Sequence, residues 1–186
     1  MNKIRRTSTF FKLLFQMAFI ALLLVNVIGW IYAPEPIVLL EGGIRLNVIP
    51  DIYAGTHEHS SAILHILSMS EKALGFLVSL IPVGIKLFIL YSLIRLFKLY
   101  EQGHIFSEKH VRYIRHIGYS LLLSQIITPI YQGLMGLVLT WRNPPGERLV
   151  SMSFDQSNLG IMFMAFMIIF ISWIMAEGCK LGKQST

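Results

Sequence analysis

The sequence predicts an all-α fold, a four-helix transmembrane bundle with a partly structured first extracytoplasmic loop. Three observations predict it. Apolar stretches at 10–32, 73–97, 114–138 and 159–176 each approach the roughly 20 residues a helix needs to cross a hydrocarbon core of about 30 Å. Hydrophobic residues make up 54% of the 186 and charged residues only 14%, where soluble domains run at about 45–50% and about 25%. Lysine and arginine also gather in alternate connecting segments, as they do around membrane spans. The same numbers exclude a disordered chain, which needs low hydrophobicity and many charges. One cysteine, Cys179, excludes a disulfide scaffold. A length of 186 residues suits one membrane domain over 1–186.

The first span, 10–32, carries one charge, Lys12, near its start, where it can snorkel to the interface. Trp30 and Tyr32 sit at its far end as an aromatic belt, and Pro34 and Pro36 stop it. It is too long for a signal-peptide core and no small-x-small site follows it, so it reads as an uncleaved anchor. The second span, 73–97, contains Pro82, Gly84 and Lys86. The third, 114–138, begins at Arg115 and His116 and holds Gln125, Thr128, Pro129 and Gln132. The fourth, 159–176, is almost wholly apolar with Trp173 near its end, and Gly178 is expected to fray or end that helix.

With the N-terminus inside, eleven cations lie on the inner side: Lys3, Arg5, Arg6, Lys12, Arg95, Lys98, Lys109, Arg112, Arg115, Lys180 and Lys183. Four lie outside, Arg45, Lys72, Arg142 and Arg148. This bias predicts a multi-pass protein of the bacterial inner (cytoplasmic) membrane with both termini cytoplasmic. It also accounts for the net charge of +6 as topology and lipid-headgroup contact, without direct nucleic-acid binding.

The outer loop, 33–70, is the longest segment outside the spans. Apolar runs around Glu41-Gly42-Gly43 suit a short β-hairpin, and 61–69 suits an interfacial helix. The inner connection, 95–115, reads as a tight helical hairpin. Gly103 ends one helix, Ser107 caps the next, and Glu108 sits in its first turn.

Three constellations carry chemistry. Lys86, close to mid-bilayer, is a functional candidate because a charge there is costly. It would bind an anion, line an ion path or take part in a proton-coupled step, and Pro82 and Gly84 could open the helix beside it. Its structural alternative is an internal partner, Gln125, Thr128 or Gln132, or snorkelling. His57, Glu58 and His59 with His65 form a candidate zinc or copper cluster in the outer loop; the alternative is a polar loop stretch. The inner hairpin offers Arg95, Lys98, Arg112 and Arg115 around Ile105 and Phe106, a docking surface or a positively charged membrane anchor. Cys179 is a candidate for acylation or redox chemistry, or a small interfacial residue. No HExxH, GxSxG or phosphate-binding glycine loop occurs, so no enzyme and no cofactor is expected.

The run Leu93-Ile94-Arg95-Leu96-Phe97-Lys98-Leu99-Tyr100-Glu101-Gln102-Gly103-His104-Ile105-Phe106-Ser107, continuing through His110-Val111-Arg112-Tyr113-Ile114-Arg115-His116-Ile117-Gly118, resembles a bacterial family of uncharacterised four-span inner-membrane proteins, the DUF2975 type. Trp173 to Leu181 is similar to that family's fourth-helix exit. The resemblance implies four helices and, because the family's genes often neighbour a small helix-turn-helix regulator, a sensing or regulatory pair. The family's usual acidic tail is replaced here by Gly182-Lys183-Gln184-Ser185-Thr186, which leaves any partner of that tail in question.

The expected function is a non-enzymatic membrane sensor or regulatory scaffold that works through a cytoplasmic or membrane protein partner. The alternative is a small oligomeric channel or transporter that uses Lys86. The expected partners are the lipid bilayer, that protein and further copies of the chain.

Overall fold

The computed structural model describes residues 2–32, 68–103, 107–142 and 156–184, with single positions 144, 148, 150, 152 and 154. The expected β-hairpin and most of the 61–69 helix lie outside the described residues. Among the described residues four helices occur in order: α1 (Asn2–Tyr32), α2 (Met69–Glu101), α3 (Glu108–Leu139) and α4 (Gln156–Gln184). All four are long and apolar enough to cross a membrane, and no strand occurs among the described residues. Among the described residues the fold is all-α with four helices, as the apolar stretches predict, and the chain is a multi-pass membrane protein.

Each helix outruns its apolar stretch at one end or both, and α2 carries a cap at each end. At the start of α2 the Ser68 N–H donates to Glu71 Oε2 at 2.7 Å, and the Glu71 N–H donates to Ser68 Oγ at 3.4 Å. This is a reciprocal capping box, which satisfies backbone donors that the first turn leaves free. At the end of α2, Gly103 takes φ +81°, a conformation that costs a side-chain-bearing residue about 1–2 kcal/mol. Its N–H donates to the Tyr100 carbonyl at 3.1 Å.

Two expectations about helix breaks are corrected. α2 runs unbroken through Pro82 and Gly84, and α3 runs through Pro129. Helices in membranes tolerate proline where neighbouring helices and side chains satisfy the freed backbone groups. α4 likewise continues past Gly178 to Gln184. A glycine costs only about 1 kcal/mol against alanine inside a helix, too little to end a four-turn-plus segment, and Lys180 pairs with Glu177 across that turn at 3.1 Å.

The chain divides into two compact units. The first comprises Met1–Ala21, Gly84–Gln125 and Asp155–Thr186. Its core includes Leu96, Val111, Ile117 and Ala165. Here α3 meets α4 closely: a Cβ built on Gly118 would stand 2.7 Å from Ile169 Cγ1 and 3.3 Å from the Ala165 carbonyl oxygen. A small residue allows that approach.

The second unit comprises Leu22–Val83 and Ile126–Phe154. Trp30, Val83, Met135 and Leu139 are buried in it. The Trp30 ring lies directly over Gly75. Its Nε1–H donates to Ser79 Oγ at 3.1 Å, and Asn26 Nδ2 donates to the same oxygen at 3.1 Å. Ser79 in turn donates to the Phe76 carbonyl at 2.7 Å. Trp30 therefore belongs to an α1–α2 joint. Glu71, 4% exposed, also pairs with Arg142 at 3.3 Å, which ties the start of α2 to the residues following α3.

Candidate functional site at the basic hairpin

Within the first unit, aromatic and polar contacts run from α1 through α2 to α3. Lys12 Nζ lies 2.6 Å from Glu101 Oε2, and Thr9 Oγ1 is 3.2 Å from Glu101 Oε1. The two charged side chains are 22% and 24% exposed, so the pair is partly shielded from solvent. Beside it Phe97 stacks against Phe11 with ring centres 5.4 Å apart and against Phe15 at 5.5 Å. Phe97 meets Tyr100 edge-on at 5.9 Å, and Tyr100 meets His110 at 4.6 Å. Aromatic pairs at such separations hold defined geometry beyond simple burial.

His110 completes the joint. It stands three residues after Ser107, whose carbonyl accepts from the His110 N–H at 2.9 Å and the Val111 N–H at 3.4 Å. Ser107 Oγ and His110 Nδ1 are 3.0 Å apart. The serine thus opens α3 as a cap, and its hydroxyl engages the imidazole. The ring is fully buried.

Cations stand on the outside of this joint. Lys98, Lys109 and Arg112 are exposed, and Arg115 is half-buried. Arg95 is exposed but held: its Nε–H donates to Tyr91 Oη at 2.9 Å, and its guanidinium lies 5.2 Å from the centre of the same ring. Ile105 and Phe106 lie outside the described residues. The hairpin thus presents positive charge from helix ends that are themselves fixed to α1.

Lys86 is exposed on α2 and makes no hydrogen bond or ion pair with a described residue. Gln125 is buried; its Nε2 donates to Ser124 Oγ at 3.0 Å, while Oε1 has no partner. Thr128 and Gln132 are half-buried, and both are engaged. His57, Glu58, His59 and His65 lie outside the described residues, and no metal-holding cluster occurs among the described ones. Cys179 is a half-buried free thiol.

Sequence reasoning missed three members of the joint. Lys12 reads as a snorkelling side chain, and Glu101 is given no role of its own. Both fall at the same membrane edge under the charge bias, and that coincidence is the signal that could have paired them. His104, His110 and His116 recur every six residues, a spacing that aligns them on no single helical face, so His110 reads as interfacial from the sequence; the Ser107-x-x-His110 spacing, matching a cap and its third helical residue, is the cue to its burial.

Four long apolar helices, with polar chemistry concentrated where they join, define a multi-pass α-helical membrane protein. The chain belongs to the family described as "Protein of unknown function (DUF2975)", which it matches over residues 52–184. That match covers α2, α3 and α4 and begins after α1. No curated protein and no solved structure matches the chain.

Proposed function

We propose that the chain is a non-enzymatic membrane sensor or regulatory scaffold that reports through a protein partner at the basic hairpin. One observation carries this reading: the exposed cations Lys98, Lys109 and Arg112 stand on helix ends anchored to α1 by the Lys12–Glu101 pair and the Phe11–Phe97 stack. A displacement of α1 is thereby transmitted to a charged surface. Rigid elements linked by packed side chains and ion pairs are the physical means by which such coupling travels. The residues leaving α1 and entering α2 bound the 33–68 segment, so a signal received there reaches both anchored helices.

The reading includes an orientation. The cation bias of the connecting segments supports both termini and the hairpin facing the cytoplasm of a bacterial cell.

Photo-cross-linking in cells tests it. A photoreactive residue at position 109 is expected to trap a distinct protein at fixed stoichiometry. The paired change Lys98→Glu and Arg112→Glu is expected to reduce the trapped fraction about tenfold, the scale on which removed charge complementarity acts. Trapping of lipid alone, or of the same protein in undiminished yield from the charge-reversed chain, overturns the reading.

A further inference from the structure

Lys86 is the only charge between Lys72 and Arg95. It is exposed, and it makes no hydrogen bond or ion pair with a described residue. At 1.5 Å per residue it stands about 20 Å from one end of the 73–97 apolar stretch and about 16 Å from the other. Half of a hydrocarbon core measures about 15 Å, and lysine's four-carbon stem covers less than half of that. Snorkelling leaves the ammonium short of either headgroup layer.

A charge at that depth is paired, and side chains of this kind mark functional contacts. The acceptor is not supplied by the described residues. Nor does a second copy bring a carboxylate to the same depth: all ten acidic residues lie outside the four apolar stretches. Phospholipid phosphates stay at the surface. From the depth, the exposure and the charge, we infer that α2 receives at Lys86 a transmembrane helix of a different protein, one that carries an aspartate or glutamate near its middle.

This rests on the partner reading above and names the partner's chemistry within the membrane. The two fail separately, because one contact is at the hairpin and the other at mid-span.

The test uses the full chain in membranes of its source cells. A photoreactive residue replaces Leu90, half-buried and one turn along the same face. The expected product is a covalent adduct with a different membrane protein whose mass-spectrometric sequence shows a carboxylate at mid-span. Lys86→Met lowers the adduct yield about tenfold or more, as removal of one partner of a desolvated charge pair does. Lys86→Arg keeps the yield, and changing the partner's carboxylate to its amide reproduces the loss. If Lys86→Met does not accumulate in the membrane, the arginine variant and the partner's amide variant carry the test by themselves. An adduct with a second copy, with lipid only, or with a protein lacking a mid-span acid overturns the inference, as does a yield unchanged in Lys86→Met. If position 109 still traps its partner in that case, the hairpin reading stands and the mid-span pairing alone is lost.

Discussion

Gly75→Ala is the most informative single change, because it introduces one methyl group at a place where the structure has no room. A Cβ built there clashes with the six-membered part of the Trp30 indole, against Cη2, 2.5 Å from Cζ3 and 3.0 Å from Cζ2. The obstacle is a rigid ring, so it cannot yield by bending a flexible end. Trp30 is 4% exposed and has no free side to move into. Overpacking of this kind costs about 1–3 kcal/mol. Shifting the ring also disturbs the Trp30–Ser79 hydrogen bond, worth on average about 0.6 kcal/mol between membrane helices. Alanine recovers at most about 1 kcal/mol of helix propensity. The balance is a net loss of about 1–3 kcal/mol, with overpacking dominant.

Gly84→Ala on the same helix is the control, since nothing lies within 4 Å of its Cβ position. It is expected to be neutral or stabilising by up to about 1 kcal/mol. Thermal unfolding of the full chain in one mild detergent compares the two, with Gly75→Ala lower in Tm and Gly84→Ala not. Adding Trp30→Phe, which shrinks the ring, should recover part of the Gly75→Ala loss, a coupling that only contacting residues show. Equal Tm values for the two alanine variants, or strict additivity with Trp30→Phe, would refute the reasoning.

Four further outcomes are expected. Cys179 is the sole cysteine and half-buried; under the cytoplasmic orientation proposed here, a membrane-impermeant maleimide should label it only after the cells are opened, and labelling of intact cells from outside would reverse the topology. Gly118→Val should destabilise by about 1–3 kcal/mol through overpacking, whereas Gly160→Val, with nothing within 4 Å, should cost far less; unfolding midpoints decide. Gly103→Ala should lower stability by about 1–2 kcal/mol, the cost of a left-handed residue bearing a Cβ, with Gly103→Asn milder; equal Tm values would contradict it. Exchanging the charges of Lys12 and Glu101 should restore the folded-state yield that Glu101→Lys alone reduces, and a swap no better than the single change would remove the pair from the anchoring role.

The four spans were legible because crossing a hydrocarbon core sets a length that no local preference overrides. Phe10 to Tyr32, with one charge, leaves little choice. Helix ends were less legible. Met69 begins α2 before the apolar stretch because the Ser68–Glu71 box supplies the cap, and Gly178 fails to end α4 because a glycine's cost is small beside a continuous helix. The joint was the least legible part. Lys12 and Glu101 are 89 residues apart, and only packing of α1 on α2 brings them together. Lys86 carried its own signal, since a lone charge in an apolar stretch stands out; its outward placement depends on how α2 is turned, which periodicity in a nearly uniform apolar helix does not specify.

Ser79 offers a last consequence. A serine hydroxyl has two lone pairs and one proton. Here both lone pairs receive hydrogen atoms, from Asn26 and Trp30, and the proton goes to the Phe76 carbonyl. The oxygen is saturated, so no additional donor can join without displacing one already present. Water can therefore enter only by replacing one of these donors, while Asn26 Oδ1, buried and without a partner, remains an unused acceptor beside them. The contact joins the two helices that bound the 33–68 segment.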